Sequence, residues 1–169
     1  MNYTFKPVTE KDFPLLLEWH NQPWVAENWN GYYTSEQIEE EQIKKMKSSK
    51  DFAYIIYFEG RPFAYIQLQD CFECGDGWWP DEKPGTWGID TFIGEEEYLG
   101  KGHSTKYIKE FLEKAFSEKN AKKIIVDPDP NNIRAIKAYE KAGFKAVETI
   151  KTPDGDALLM EVKASFISS

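Results

Sequence analysis

Apolar residues along this chain follow two spacings. Tyr3–Val8, Phe52–Phe58, Phe63–Leu68, Trp87–Ile93, Lys123–Val126, Phe144–Ile150 and Ala157–Val162 are short runs rich in branched and aromatic residues, bounded by Gly, Pro, Asn or Asp. Runs of that length and type predict strands. Glu59-Gly60-Arg61-Pro62 turns the second into the third, and Thr152-Pro153-Asp154-Gly155 turns the sixth into the seventh, so both pairs read as hairpins.

The other spacing is helical. Thr9-Glu10-Lys11-Asp12 has the form of a capping box, with Asp in place of Glu, ahead of Phe13, Leu16, Leu17 and His20 on one side of a helix. Pro14 falls in its early turns, where a missing N–H does least harm. Thr34 caps a second helix running to about Lys47, with only Ile38, Ile43 and Met46 apolar. That stripe is thin and predicts a loosely held helix. From Gly102 onward Tyr107, Ile108, Phe111, Leu112, Ala115 and Phe116 mark one face of a longer helix, and another runs from about Asn131 to Ala142. Two stretches read as loops: Asn21–Tyr33, with Trp24, Trp29, Tyr32 and Tyr33, and Cys71–Pro84, with Glu73, Asp76, Trp78, Trp79, Asp81 and Glu82. The resulting order, βααβββαβαββ, predicts an α/β (α+β) domain.

Composition narrows this. With 169 residues, 41% of them apolar and 15% aromatic, the chain suits a single domain over residues 1–169 with a sizeable core. Twenty-nine acidic and 21 basic side chains leave a net charge of −8. No Lys/Arg stripe could follow a phosphate backbone, which argues against nucleic acid, and the acidity favours a cationic small molecule. The amino terminus lacks an apolar signal core and no run reaches membrane-spanning length, so a cytoplasmic protein is expected. Cys71 and Cys74 form a Cys-x-x-Cys without a second pair, and His20 and His103 are the only histidines. No metal site is expected, and a redox pair belongs at a helix start rather than in the extended segment expected here. Both thiols read as reduced bystanders.

Two features carry candidate chemistry. Leu99-Gly100-Lys101-Gly102-His103-Ser104 joins a strand to a helix, and its glycines let the backbone turn tightly with N–H groups outward. Together with the positive end of the helix dipole, that is a site for a phosphate or pyrophosphate. Asp90 interrupts an apolar strand, where burial would raise a carboxyl pKa toward the range of a general base; bonding to neighbouring backbone is the competing role.

Asn132-x-x-Ala135-Ile136-x-x-Tyr139-Glu140-Lys141-x-Gly143-Phe144 resembles the helix-and-turn signature of the GNAT superfamily of acetyl-CoA-dependent N-acetyltransferases. In that family the loop reads Arg/Gln-x-x-Gly-x-Gly/Ala; here Leu99 and Ser104 occupy its first and last positions. The resemblance implies the GNAT fold, a mixed twisted sheet of about seven strands with helices on both faces. It implies that Leu99, Gly100, Lys101, Gly102, His103, Ser104 and Thr105 cradle the cofactor pyrophosphate, and that pantetheine lies where the strand Trp87–Ile93 parts from Lys123–Val126. Main-chain groups near Phe92 and Ile93 would bind its amides, one N–H polarising the thioester carbonyl. Asn132 and Ala135 would also bind cofactor, with N-capping a rival role for Asn132. Tyr139 would protonate the departing thiolate, its alternative being a core residue.

Gly75-Asp76-Gly77-Trp78-Trp79, Gly88-Ile89-Asp90, Asp127-Pro128 and Thr152-Pro153-Asp154-Gly155 extend the likeness to the aminoglycoside 6′-N-acetyltransferases. That resemblance implies catalysis by Asp90, ammonium binding by Asp76, Asp127 and Asp154, and a substrate pocket shaped by Trp78 and Trp79, with Trp24 beside them. Carboxylates and flat rings suit a hydroxyl-rich polycation. The expectation is therefore acetyl-CoA as cosubstrate, no metal, no membrane and a monomer or homodimer. The alternatives are a GNAT enzyme for a siderophore precursor, polyamine or peptide N-terminus, and a non-catalytic acyl-CoA-binding module. Asp90 and Tyr139 together count against the last.

Overall fold

The computed structural model describes residues 2–29, 31–74, 83–153 and 155–165. The alternating runs fold as strands and the helical spacings as helices. In order these are β1 (Tyr3–Pro7), a 3-10 turn (Glu10–Asp12), α1 (Phe13–His20), α2 (Pro23–Ala26), α3 (Ser35–Met46), β2 (Asp51–Phe58) and β3 (Arg61–Asp70). Then come α4 (Cys71–Cys74), β4 (Thr86–Ile93), a second 3-10 turn (Glu96–Tyr98), α5 (His103–Lys119), β5 (Lys123–Val126), α6 (Ile133–Ala142), β6 (Lys145–Thr152) and β7 (Gly155–Lys163). The strands make one mixed seven-stranded sheet in the order β1-β2-β3-β4-β5-β7-β6, the architecture expected of a GNAT fold. β4 and β5 are parallel, while β1 with β2, β5 with β7 and β6 with β7 are antiparallel.

The chain divides into two compact units, Met1–Gln67 with Thr91–Lys101, and Leu68–Asp90 with Gly102–Ser169. In the first, Val8, Leu16, Trp19, Ile38, Ile55 and Tyr65 form a buried cluster, with Trp29, Tyr33 and Phe92 packed against it. His20 lies among these rings at 1% exposure. It stacks on Tyr33 at 4.1 Å and meets Phe92 at 5.0 Å, Trp29 at 5.9 Å and Tyr65 at 6.3 Å. Burial penalises the imidazolium and lowers the pKa to about 4, so the ring is neutral in the folded state.

The sign for stability follows from that direction. Unfolded, His20 binds a proton near its ordinary value of 6.5, and folded it does so only near 4. Above the unfolded value there is no protonation penalty, and stability falls as pH drops from there toward the folded value. Between neutral pH and pH 5 the loss is about 2 kcal/mol. Urea unfolding at the two pH values measures it, and His20→Leu is expected to remove that part of the acid sensitivity.

Helix α3 departs from the thin stripe expected. Its inward face holds Ile38 at 1% exposure, but beside it Gln42 and Lys45 are also buried, while Met46 is exposed. Gln42 Nε2 donates to Tyr65 Oη at 3.0 Å, and Lys45 Nζ reaches Asp51 Oδ1 at 2.7 Å. Polar groups complete a face that apolarity alone could not, because the Gln42 amide N–H and the Lys45 ammonium each find an acceptor. A capping box starts the helix, with Thr34 Oγ1 accepting from the Gln37 N–H and Gln37 Oε1 from the Thr34 N–H.

Two other expectations are corrected. The aromatic loop Asn21–Tyr33 contains the one-turn helix α2, because Pro23 at its start presets the helical φ and Val25 and Ala26 turn inward. The segment expected to be extended at Cys71 instead coils into α4. Asp70 ends β3 and accepts the Phe72 N–H at 2.9 Å, which starts that turn. Cys71 is a buried thiol that donates to Gln69 O at 3.8 Å and packs with Ile125 and Leu159.

In the second unit α5 buries Tyr107, Ile108, Phe111, Leu112 and Ala115, the face read from the spacing, with Phe116 half-buried at its margin. Each large side chain so buried contributes about 1.5–3 kcal/mol. α5 packs against α6. The last strand of the sheet order, β6, is exposed along almost its whole length.

Candidate active site

Four consecutive residues of β4, Thr86 to Ile89, are buried. The strand then changes character: Asp90, Thr91 and Phe92 are half-buried and Ile93 is buried again. The β4–β5 register runs Thr86↔Lys123, Trp87↔Ile124 and Gly88↔Ile125. Asp90 therefore lies two residues past the last of these pairs, at the level where β5 gives way to Asp127.

In the second unit Asp90, Asp127 and Tyr139 converge. Tyr139 comes from the inward face of α6 at 8% exposure, its ring set edge-on to Phe144 at 5.4 Å. Burial pushes its hydroxyl well above the ordinary phenol value, and the charges of Asp90, Tyr107 and Asp127 push it the same way. Asp90 and Asp127 are half-buried as whole residues, and the Asp127 Oδ2 atom itself is buried. A hydroxyl so placed stays protonated and is a hydrogen-bond donor at any working pH. It can stabilise charge developing on a leaving group beside it.

The segment Leu99–Thr105 leads into α5 through two glycines. Gly100 and Gly102 have φ of +71° and +81°, which L side chains rarely adopt, and open space surrounds both. Gly102 caps α5 without a side-chain bond, and the first turn of α5 carries no acidic residue. Its N–H groups and dipole fit a diphosphate. His103 opens the helix, followed by Ser104 and Thr105. Asn132 caps α6, its Oδ1 accepting the Ala135 N–H at 3.3 Å, so its carbonyl has the capping role and Ala135 offers no N–H to a ligand.

The first unit holds Phe92, Ile93 and Trp24. Trp24 donates its indole N–H to the Ile93 carbonyl at 2.8 Å. Trp19, fully buried, donates to Glu95 Oε2 at 2.5 Å and occupies the space a Cβ on Gly94 would need. The Gly94 N–H donates to Phe63 O at 2.8 Å, and Thr91 Oγ1 donates to Tyr65 O at 2.7 Å. Sequence reading missed this clamp on the end of β4. Its only sequence signal is that buried indole N–H groups need acceptors.

Asp76, Trp78, Trp79 and Asp154 lie outside the described residues. Among the described residues no cluster of three or more His, Cys, Asp or Glu could hold a metal ion, and no helix is long and apolar enough to cross a membrane.

Comparison with known proteins follows the same lines. The aminoglycoside N(6′)-acetyltransferase type 1 of Klebsiella pneumoniae is 37% identical over 162 residues, covering 93% of this chain and 81% of that protein. The crystal structure of the aminoglycoside acetyltransferase AAC(6′)-Ib with coenzyme A and kanamycin superposes with a TM-score of 0.90 at 34% identity, over 98% of this chain and 97% of that one. A spermine/spermidine N(1)-acetyltransferase of Bacillus subtilis (strain 168) is 27% identical over 145 residues, covering 86% of this chain and 89% of that protein. Residues 8–152 match the model of the acetyltransferase (GNAT) domain, and the chain belongs to that family.

Proposed function

We propose that this protein transfers the acetyl group of acetyl-CoA directly to the 6′-amine of aminoglycosides. The observation that carries the chemistry is Tyr139, held neutral beside Asp90 and Asp127 in the second unit. Likeness to the Klebsiella enzyme supports the acceptor. In the reaction the amine nitrogen bonds to the thioester carbon and the C–S bond breaks. Asp90 takes the proton released by the amine, and Tyr139 donates to the departing thiolate. The main chain of Leu99 to Thr105 holds the diphosphate, with groups near Phe92 and Ile93 along the pantetheine and Asn132 and Ala135 beside the cofactor. Asp127, with Asp76 and Asp154, attracts the ammonium groups, while Trp78, Trp79 and Trp24 offer ring faces to the sugars.

Charge attracts any polyamine and does not choose which amine reacts, so the regiochemistry is the sharper test. Kanamycin-type substrates with a 6′-amine are expected to release thiol from acetyl-CoA, and analogues with a 6′-hydroxyl are not expected to gain acetyl at that position. Product NMR decides, and acetyl on another ring amine refutes the 6′ assignment. A second reading, acetylation of a linear polyamine, is favoured by the likeness to the Bacillus enzyme. Turnover with spermidine and none with any aminoglycoside would establish it instead.

A further inference from the structure

We propose that Trp24 is a positioning residue: by holding the Ile93 carbonyl, its indole N–H sets the Ile93 N–H to face the thioester oxygen. This rests on the acetyl-transfer reading above and gives a structural reason for the tryptophan beyond a ring face for substrate.

The argument starts from the peptide plane. In a trans peptide the carbonyl of one residue and the N–H of the next point in opposite directions. The Gly94 N–H points to β3, where Phe63 O accepts it at 2.8 Å. The Ile93 carbonyl therefore points away from β3, and there the Trp24 indole meets it at 2.8 Å. Within an extended strand a residue's own N–H and C=O share a direction. The Ile93 N–H thus faces away from β3 as well, on the edge of the strand that carries the indole.

Both sides of the Ile93–Gly94 peptide are pinned, so it cannot rotate without breaking a bond on each. Trp24 is itself held: it sits in α2, whose Val25 and Ala26 are buried, and its own carbonyl accepts from Asn28 Nδ2 at 3.0 Å. Without the indole the Ile93 carbonyl would lose its partner, and the peptide could tilt to find another. An unneutralised carbonyl dipole would also stand beside the oxygen that gains charge in the transition state, opposing it. Both effects act on the acyl carbonyl and leave the rest of the cofactor untouched.

Trp24→Phe keeps a ring and deletes the donor. The expected result is a fall in kcat of about tenfold, below the 10²–10³ for losing an oxyanion donor outright. CoA, which has no acyl carbonyl, is expected to bind within about twofold of wild type by calorimetry, since the variant leaves the diphosphate site intact. In infrared difference spectra, the ¹³C-labelled acetyl carbonyl of bound acetyl-CoA is expected to move back toward its frequency in solution. An unchanged band with unchanged kcat overturns the proposal, as does parallel weakening of CoA binding and kcat, which marks a merely structural role. The wild-type protein supplies an independent reading should the variant not fold. The Trp24 indole proton must stay protected from exchange in the acetyl-CoA complex, and its release on binding overturns the proposal. If wild type neither binds acetyl-CoA nor acetylates any amine, the acetyl-transfer reading itself falls.

Discussion

Asp90→Asn is expected to lower kcat by a factor on the order of 10²–10⁴, the usual loss when a general base is removed. The substitution is nearly isosteric, so β4 should keep its register with β5, which ends before this residue at Gly88↔Ile125. Acetyl-CoA affinity should hold within about twofold, because the groups proposed to bind it are main-chain groups elsewhere. A second signature separates this from general damage. The Asp90 charge helps to raise the Tyr139 pKa, so its removal should lower the phenol titration. Ultraviolet titration of the tyrosines against a Tyr139→Phe control can follow that change. Near wild-type kcat at neutral pH in the Asn variant would remove Asp90 from the mechanism.

Gly94→Ala is expected to be the most damaging single methyl in the first unit. A Cβ at this position would enter the Trp19 indole. That ring cannot swing aside cheaply, being fully buried, bonded to Glu95 and set edge-on to Phe92 at 6.2 Å. The backbone is no freer, because the Gly94 N–H is bonded to Phe63 O. Overpacking of this kind costs about 3 kcal/mol, which for a chain of this length lowers Tm by roughly 6–12 °C. Trp19→Ala in the same chain should make the added methyl nearly harmless, a coupling that a double-mutant cycle reads directly. If Gly94→Ala melts like wild type in either background, the close approach is not a constraint.

These two residues also show what was legible in the sequence. Asp90 stood out because a carboxylate in an apolar run is chemically conspicuous. Gly94 is not conspicuous in the sequence, since nothing in its neighbours announces a tryptophan from α1 lying on it. Elements set by local chemistry were read closely: β5 ends where its apolar run ends, and α5 buries the face its spacing marks. Elements set by partners were not. The inward face of α3 includes Gln42 and Lys45, which look like solvent-facing residues until Tyr65 and Asp51 are seen opposite them. At the site, Tyr139 and the glycine turn were recognisable through the family pattern. The Trp24–Ile93 bond was not, because an indole finds its acceptor only in three dimensions.

The exposure of β6 has a consequence for handling the protein at high concentration. A terminal strand bathed in solvent is a template for pairing with a second chain, and such pairing seeds precipitates. Val147, half exposed, is the apolar side chain there that would reward it. Lys145, Glu148 and Lys151 punctuate the same strand, so a partner strand would have to desolvate charges at short intervals. These three residues have no role in the core or the proposed chemistry. Their work is colloidal: they keep an otherwise adhesive edge from recruiting its neighbours, and trimming them to apolar residues would trade solubility for nothing the fold requires.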